Sequence, residues 1–201
     1  MSGQDRKQEI RTLAKAGRRD LPAKDELSRR ICAKFAALPE YRAAASVLFY
    51  VDFGNEVRTQ PLLTTALAQR KRIAVPYCLD DRLELFLLEG IDELASGTFG
   101  IPEPRVALRA LADRRVHVSG LDLIMVPGVA FDRRGGRLGH GKGYYDKLLQ
   151  NAPPDTPLVA LAFECQVLPE IPMQPHDVYM DKVITEKTIY PGRGRRGRMP
   201  A

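Results

Sequence analysis

A glycine-rich segment with two cationic side chains lies in the second half of the chain. Residues 135–143 read GGRLGHGKG and place five glycines in nine positions, beside Arg137 and Lys142. Glycine permits unusual φ values and close approach to the main chain. Successive N–H groups can cradle phosphate oxygens, and a following helix N-terminus adds partial positive charge. The segment predicts an anion site, best suited to a polyphosphate; the alternative is a glycine-rich connection without a ligand.

The same segment matches most of a Walker A loop and fails at one chemically important position. Gly136 to Lys142 satisfies G-x-x-x-x-G-K, but Gly143 follows where Ser or Thr would ligate Mg²⁺. Oxygen ligands for a metal would therefore come from elsewhere, and Mg²⁺ favours carboxylates and water. Asp146 is the nearest carboxylate, and Asp177 is a second if the fold brings it close. The plainer interpretation of Asp146 is an acidic residue that stabilises the helix dipole. The plainer interpretation of Asp177 is a turn-forming aspartate.

Three more charged residues have spacings that suit a binding site. Lys7 and Arg11 are four residues apart, so both project from one face of a predicted helix. Taken alone, this pattern is typical of a solvated face. Glu56 follows the turn after the first predicted strand, where ligand-facing residues often lie, and its plainer interpretation is a surface carboxylate. The chain has no dense cluster of His and Cys, so zinc is not expected.

Helical and extended patterns alternate around these residues. Helical spacing predicts helices over residues 5–18, 25–38, 59–69 and 144–150. Apolar runs predict strands over residues 46–51, 72–75, 83–88, 121–126, 158–163 and 183–185. Several strands are apolar throughout, which predicts an α/β three-layer sandwich with a mostly parallel sheet covered on both faces. Ligands of such sheets bind beyond the carboxyl ends of strands, where the glycine segment follows residues 121–126.

Composition limits the remaining possibilities. With 201 residues, 44% of them hydrophobic, the chain is expected to form a single domain over residues 1–190. Residues 191–201 are rich in Gly and Arg and are expected to form a disordered tail. Four arginines of this tail account for most of the net charge of +6, so nucleic-acid binding is not expected. Weak contact of the tail with RNA or phosphate is the alternative.

Cysteine usage and hydropathy indicate a cytoplasmic protein. The chain has three cysteines, Cys32, Cys78 and Cys165, and they are widely spaced. This pattern predicts neither a disulfide framework nor a structural zinc site. No apolar run approaches the roughly 18–20 residues that span a bilayer. The first nine residues are polar and have no hydrophobic stretch behind them, which argues against a secretory signal. We expect a monomer without membrane contacts.

Two runs, residues 127–132 (PGVAFD) and residues 136–146 (GRLGHGKGYYD), resemble the signature of the 5-formyltetrahydrofolate cyclo-ligase family, also called 5,10-methenyltetrahydrofolate synthetases. The likeness extends over nearly the whole chain. Its weaker pieces occur in the family's order: Lys7 with Arg11, residues 50–53 with Glu56 and Thr59, residues 101–104, and His176-Asp177 with Asp181. The resemblance implies a fold similar to the NagB/ribose-5-phosphate isomerase/CoA-transferase group. It also implies that 5-formyltetrahydrofolate and ATP give 5,10-methenyltetrahydrofolate, ADP and phosphate.

The resemblance also implies roles for individual residues. The implied ATP contacts are Lys7, Arg11, Arg137, Leu138, Gly139, His140, Gly141, Lys142, Gly143, Tyr144 and Tyr145. The implied folate contacts are Tyr50, Val51, Glu56, His140, Gly141, Lys142, Gly143 and Tyr144. Asp146 and Asp177 match the Mg²⁺ positions, and Arg137 and Lys142 are expected to act in phosphoryl transfer. The sequence departs from the pattern of some family members at His140, where they carry Arg and others carry an aromatic or different residue. A neutral His does not replace the charge of an Arg in phosphate binding.

Two other classes of protein remain open on sequence grounds. A nucleic-acid-binding module would need basic residues spread over one folded face, whereas the excess charge lies mostly in the tail. A sugar-phosphate or CoA enzyme on a related fold would need a carboxylate aimed at a sugar or thioester and would not need ATP. The hypothesis of an ATP-dependent enzyme that acts on small molecules accounts for both the incomplete Walker A match and the two carboxylates, Asp146 and Asp177, that lie outside it.

Overall fold

The structure is a computed structural model that describes residues 3–195. Its α-helices are α1 (Gly3–Asp20), α2 (Lys24–Ala37), α3 (Pro39–Ala43), α4 (Gln60–Ala68) and α5 (Tyr144–Gln150). Its strands are β1 (Ser46–Leu48), β2 (Arg72–Leu79), β3 (Arg82–Leu88), β4 (Leu94–Ser96), β5 (Pro102–Pro104), β6 (Arg115–Val116), β7 (Leu123–Val126), β8 (Ala130–Asp132), β9 (Arg137–Leu138), β10 (Leu158–Leu161), β11 (Val167–Leu168), β12 (Lys182–Ile184) and β13 (Ile189–Pro191). Short 3₁₀ turns connect several of these elements.

A central sheet has the strand order β13-β12-β10-β7-β1-β2-β3-β6. Neighbours from β12 through β2 are parallel, whereas β13, β3 and β6 pair antiparallel at the two edges. The predicted mostly parallel sheet is therefore confirmed. Within the described residues, two smaller sheets accompany it, with the orders β11-β8-β9 and β4-β5.

Both faces of the central sheet are buried. Successive side chains of a strand point to opposite faces, and Val47 and Leu48 of β1 accordingly belong to two different core clusters. Phe35 of α2 and Leu63 of α4 pack in the first cluster, and Leu149 of α5 packs in the second. Helices thus cover the sheet on both sides, which confirms the predicted three-layer arrangement.

Helix α1 packs away from the main core, on the small sheet that follows β7. Its apolar residues Ile10 and Ala14 are buried in a third cluster with Val129, Ala130 and Leu138 of the β8–β9 region. These contacts leave the face that carries Lys7 and Arg11 turned toward the glycine segment.

Strand β2 is longer than the sequence predicted. Pro76 was expected to stop it at residue 75, yet β2 continues to Leu79 in antiparallel register with β3. The carbonyl of Ala74 accepts from the N–H of Phe49 on the β1 side. The backbone nitrogen of Pro76, two residues later, points to the same side of β2 but lies beyond the end of β1. No partner strand faces it there, so the N–H that proline lacks costs no hydrogen bond of the sheet. A proline at an unpaired strand side is therefore compatible with the sheet.

The first residues of the predicted disordered tail contact the domain. Pro191 belongs to β13, and the N–H groups of Gly192 and Gly194 donate to the carbonyls of Asp181 and Met180 at 2.8 and 3.1 Å. The Arg195 guanidinium donates to carbonyls that follow α5, including Ala152 at 2.6 Å. Residues 191–195 therefore pack on the domain because the sheet edge and the end of α5 offer them partners. The rest of the predicted tail lies outside the described residues.

Within residues 3–195, no helix is both long and apolar enough to cross a membrane. The cytoplasmic location and the monomeric state remain predictions.

Candidate active site

A cavity of about 880 Å³ opens where the glycine segment, α1 and the ends of β1 and β2 meet. Every residue that the sequence or the family resemblance singled out for binding lies in its wall. These residues are Lys7, Arg11, Tyr50, Val51, Glu56, Arg137, Leu138, Gly139, His140, Gly141, Lys142, Gly143, Tyr144, Tyr145, Asp146 and Asp177. Residues separated by up to 170 positions in sequence thus share one site.

The glycine segment divides into two parts with different roles. Gly135 and Gly136 form the turn between β8 and β9, where the Asp132 carboxylate accepts from the Gly136 N–H at 2.8 Å. A Cβ on Gly135 would lie 2.2 Å from the Met180 carbonyl oxygen, and its φ is 86°. Glycine is therefore required there by packing. Only residues 139–143 remain as a loop that faces the cavity, so the loop is shorter than the glycine-rich segment 135–143 from which an anion site was predicted.

The cavity-facing loop carries a lysine, Lys142, whose ammonium can contact a ligand. Gly141 and Gly143 have φ values of 108° and 71°, and Gly143 precedes the first residue of α5. Lys142 between them is exposed and makes no hydrogen bond or ion pair with any residue of the described chain. Its ammonium can therefore bind an anion in the cavity without first breaking another contact.

Arg137 is held rigidly beneath this loop. Its side chain is buried and donates to Asp146 Oδ1 at 2.5 Å and to the Pro127 carbonyl at 3.2 Å. The guanidinium also lies over the Tyr145 ring, 5.9 Å from its centroid, and Nε has no partner among the described residues. Arg137 thus fixes the start of α5 and keeps positive charge in the cavity wall.

Helix α1 contributes a cationic face to the site. The Lys7 ammonium lies 2.9 Å from Asp177 Oδ2, and both side chains are largely buried. The Arg11 guanidinium donates from Nε to the Gly139 carbonyl at 2.9 Å. The plain interpretation of this pair as a solvated helix face is therefore wrong, because both side chains dock on segments more than a hundred residues away.

The two predicted metal ligands lie in the same cavity, and each is balanced by a cation. Asp146 pairs with Arg137 and Asp177 pairs with Lys7. Among residues 3–195 there is no group of three or more His, Cys, Asp or Glu side chains that could hold a metal ion. Two carboxylates do not form an all-protein cage. They do suit Mg²⁺, which keeps several waters and shares its remaining ligands with phosphates.

Two buried phenols and the Glu56 carboxylate also line the cavity. Burial, and then the charge of Glu56, raise the pKa of both Tyr50 and Tyr145 above the ordinary value of a phenol. Glu56 Oε2 accepts from the Phe53 N–H at 3.2 Å, and Glu56 Oε1 lies 3.5 Å from His140 Nε2. The Glu56 carboxylate is thus an acceptor in the same cavity as the phenols of Tyr50 and Tyr145.

The sequence reasoning missed the contribution of the β2–β3 hairpin. Tyr77, Cys78 and Leu83 line the cavity, because the hairpin extends past the end of β1. The available signal was the two-residue turn at Asp80-Asp81, in which Asp80 has a φ of 54°, a conformation that aspartate tolerates. Burial, and then the neighbouring Glu103, raise the pKa of the Cys78 thiol. Cys78 is therefore a wall residue rather than an activated nucleophile.

Glu103 is a second wall residue to which no role was given. It is only 3% exposed, and its carboxylate accepts from the Cys78 N–H at 3.1 Å and from Arg109 Nη2 at 3.0 Å. These bonds tie β5 to β2. Residues 101–103 therefore close one side of the cavity.

Residues 3–186 match the model of the 5-formyltetrahydrofolate cyclo-ligase family. The chain belongs to this family. A probable 5-formyltetrahydrofolate cyclo-ligase of Schizosaccharomyces pombe is 32% identical over 179 residues, which cover 82% of this chain and 86% of that protein. The 5-formyltetrahydrofolate cyclo-ligase of Mus musculus is 30% identical over 193 residues, 90% of this chain and 93% of that protein. The predicted resemblance is thus confirmed, and the protein is a ligase of the cyclo-ligase family.

A solved structure agrees with this assignment to the cyclo-ligase family. The 5,10-methenyltetrahydrofolate synthetase of Aquifex aeolicus superposes with a TM-score of 0.81 at 32% identity and covers 97% of this chain and 96% of its own. A 5,10-methenyltetrahydrofolate synthetase of Mycoplasma pneumoniae, at 22% identity and a TM-score of 0.71, has the same fold. The fold and the family are therefore established together.

Proposed function

We propose that this cyclo-ligase converts 5-formyltetrahydrofolate and ATP into 5,10-methenyltetrahydrofolate, ADP and phosphate, with Mg²⁺. The observation that carries the proposal is the shared cavity. One wall holds a glycine loop with Lys142, which has no partner within residues 3–195, and the Glu56 carboxylate lies in the same cavity with Tyr50 and Tyr145. An anionic polyphosphate and a flat, donor-rich ring can thus bind side by side.

The proposed reaction makes a poor leaving group into a good one. The formyl oxygen on N5 does not leave readily, so the γ-phosphoryl group of ATP is first transferred to it, which gives an iminophosphate and ADP. The N10 nitrogen of the folate then attacks the formyl carbon. The carbon–oxygen bond breaks, phosphate departs and the N10 proton is lost. The electrophile and both nucleophiles come from the substrates, so the protein needs no covalent nucleophile.

The cations of the cavity suit the phosphoryl transfer. Such reactions depend on positioning and on neutralising charge rather than on protein nucleophiles. The ammonium of Lys142 and the backbone N–H groups of residues 139–143 would bind the phosphates. Arg11 steadies this loop through the Gly139 carbonyl, and Arg137 keeps a buried charge beside it.

Asp146 and Asp177 are the residues that would hold Mg²⁺. When bound, Mg²⁺ would neutralise charge on the phosphate oxygens. Lys7 and Arg137, which pair with these carboxylates, keep the acidic side chains oriented toward the cavity. Their positive charges also keep two carboxylates from repelling an incoming polyphosphate.

The opposite wall suits the folate ring system. A pterin presents several N–H donors on one edge, and the Glu56 carboxylate is an acceptor of matching chemistry. Tyr50 and Val51, which are buried, flank it and supply apolar surface. Tyr50 and Tyr145 carry no charge at neutral pH, so these phenols do not repel the anionic glutamyl group of the folate.

A direct assay tests the proposal. Purified protein is incubated with 5-formyltetrahydrofolate, and the near-ultraviolet absorbance of the methenyl product is followed with and without ATP and Mg²⁺. We expect an absorbance rise only when both are present, with one ADP released per product. Product formation without ATP would contradict the phosphorylated intermediate, and absence of product under all conditions would contradict the proposed function.

A further inference from the structure

Two neighbouring strands lead into the part of the cavity wall that lies beyond their paired region. The β1–β2 ladder ends at Ala74 of β2. Past this point, the chain after β1 contributes Tyr50 and Val51 to the cavity, and β2 contributes Tyr77 and Cys78. Because β1 and β2 are adjacent in the sheet, the end of β2 lies next to the residues to which we assign the folate.

The open side of β2 is completed by a carboxylate instead of a strand. Ala74 directs its carbonyl toward β1, and Cys78, four residues later, directs its N–H to the same side, where no strand of residues 3–195 pairs with it. Glu103 Oε1 of β5 accepts from this N–H at 3.1 Å. Close packing fixes the position of the carboxylate, since a Cβ on Gly97 would lie 2.4 Å from Glu103 Oε2. Strand β5 thus supplies the missing acceptor at the end of β2.

Arg109 holds this arrangement from outside the cavity. Glu103 is only 3% exposed, and a carboxylate that is so deeply buried requires a countercharge. Arg109 supplies it, because Nη2 donates to Glu103 Oε2 at 3.0 Å and Nε donates to the Pro104 carbonyl at 2.8 Å. The same guanidinium lies over the Tyr77 ring, 4.8 Å from its centroid. One side chain therefore contacts both the carboxylate that fixes β2 and a ring that lines the cavity.

We propose that Arg109 is a positioning residue for the folate and acts through Glu103 and Tyr77 without touching either substrate. The inference rests on the proposed function and adds to it a residue that lies outside the cavity lining. With the guanidinium in place, Tyr77 and Cys78 form a preformed surface for a flat ring. Without it, folate binding must first order this surface, and the cost of that ordering lowers the affinity.

The contacts of Arg109 separate its effect on folate from any effect on ATP. Its hydrogen bonds and its ring contact are with β5 and β2. The side chains assigned to the phosphates belong to α1, to the glycine loop and to β9. Loss of Arg109 therefore weakens the binding of folate and leaves the binding of ATP and the phosphoryl transfer unchanged.

The dissociation constant of 5-formyltetrahydrofolate, measured by titration calorimetry without ATP, tests the proposal. Arg109→Met keeps a long side chain but removes the charge and the planar group. It should bind folate about five- to tenfold more weakly, the size expected for one guanidinium–ring contact in a largely desolvated place. The KM for ATP and kcat at saturating folate should not change. Arg109→Lys retains a cation and should bind folate more tightly than Arg109→Met. Equal losses toward folate and ATP would contradict the proposal.

Arg114→Met is the matched control for a merely structural role. Arg114 also lies over an aromatic ring, that of Phe86 at 5.2 Å, and pairs with Glu89 and Glu93, yet it does not line the cavity. Its replacement should lower the melting temperature without changing the dissociation constant of folate. If both variants lost folate affinity equally, Arg109 would contribute general stability alone and the proposal would be overturned.

Glu103→Gln gives a second test, which also decides the question if Arg109→Met does not fold. The glutamine carbonyl can still accept from the Cys78 N–H, but the charge that holds the Arg109 guanidinium is lost. Folate should bind about three- to fivefold more weakly, since a charged hydrogen bond is replaced by a neutral one. Unchanged folate affinity in this variant would overturn the proposal.

The outcomes separate this inference from the function on which it rests. If the unsubstituted protein binds folate and forms the methenyl product while Arg109→Met binds folate with unchanged affinity, the role of Arg109 is overturned and the proposed function stands. If the unsubstituted protein neither binds folate nor forms product, the proposed function falls and the inference falls with it. Weaker folate binding in Arg109→Met, partly restored in Arg109→Lys and absent in Arg114→Met, supports the proposal.

Discussion

Under the proposed function, Lys142 is the residue on which phosphate binding by the loop would depend most directly, because its ammonium has no partner within residues 3–195. Lys142→Ala should lower kcat/KM by about 100- to 1000-fold, comparable to the loss of one electrostatic contact in a transition state. Steady-state kinetics of methenyl formation measure the effect.

Lys147→Ala is the matched control for Lys142. Lys147 lies on α5, is exposed, and pairs with Asp81 at 3.1 Å outside the cavity. Its replacement should leave kcat/KM within about twofold, since surface ion pairs contribute little. Equal losses in the two variants would indicate that general charge, rather than the loop, governs catalysis.

Cys32 makes the free energy of unfolding decrease as the pH rises through the alkaline range. Burial, and then the charge of Asp52, raise the pKa of this thiol from its ordinary 9.0 to about 12. The folded thiol therefore stays protonated while the unfolded one ionises above pH 9. The stabilising contribution is fully present below pH 9 and is lost as the pH rises toward 12, by about 1.4 kcal/mol per pH unit.

Urea unfolding under reducing conditions, at pH 8.5 and pH 10.5, measures this loss. The free energy of unfolding of the unsubstituted protein should fall by about 2 kcal/mol more than that of Cys32→Ser, whose hydroxyl does not titrate in this range. The same pH dependence in both proteins would show that other groups, not Cys32, cause the alkaline loss.

At the scale of elements, α5 is fixed at both ends by arginines. Arg137 pairs with Asp146 near its start, and Arg195 donates to carbonyls at and beyond its end, among them Leu149, Ala152, Pro153 and Thr156. A cation at a helix C-terminus is also favoured by the helix dipole. The chain beyond β13 therefore supports the helix that carries Tyr144, Tyr145 and Asp146.

Arg195→Ala should destabilise the fold by about 2–3 kcal/mol, because several carbonyls lose a charged donor. Arg193→Ala is the comparison: its guanidinium lies over the Tyr179 ring at 5.8 Å, and its backbone N–H bond survives the change. That variant should lose no more than about 1 kcal/mol. Chemical denaturation measures both, and equal losses would refute the special role of Arg195.

At the scale of the whole molecule, the cavity joins parts of the chain that otherwise pack in separate clusters. Its wall includes α1 from the third core cluster, β2 from the first, and α5 from the second. A ligand that binds there contacts all of them, so its binding free energy stabilises the complete fold rather than one segment.

We therefore expect Mg-ATP to raise the melting temperature. At about 100 times the dissociation constant the stabilisation is about 2.7 kcal/mol, and a domain of this size gains about 2–4 °C per kcal/mol. Differential scanning calorimetry measures the shift. EDTA should remove most of it, and Asp177→Asn should reduce the difference between Mg²⁺ and EDTA. A shift that is identical with EDTA would argue against a carboxylate-held metal.

Much of the architecture was predictable from local patterns. The apolar runs that became β1, β7 and β10 and the helical spacing of α2 gave the correct class, because burial on both faces requires strands without polar alternation. The boundaries were less accurate. Strand β2 passed through Pro76, and the predicted tail supplied the last residue of β13 and Arg195, since both outcomes depend on neighbours that the local sequence does not contain.

By itself, the sequence determined the fold class, the glycine loop with Lys142, and membership of the cyclo-ligase family, since each is written in contiguous residues. Only the tertiary structure decided that Lys7 meets Asp177, that the β2–β3 hairpin walls the cavity, and that His140 faces Glu56. The physical reason is that strand order and packing across the sheet set these contacts. The spacing of residues along the chain does not predict which distant side chain becomes the partner.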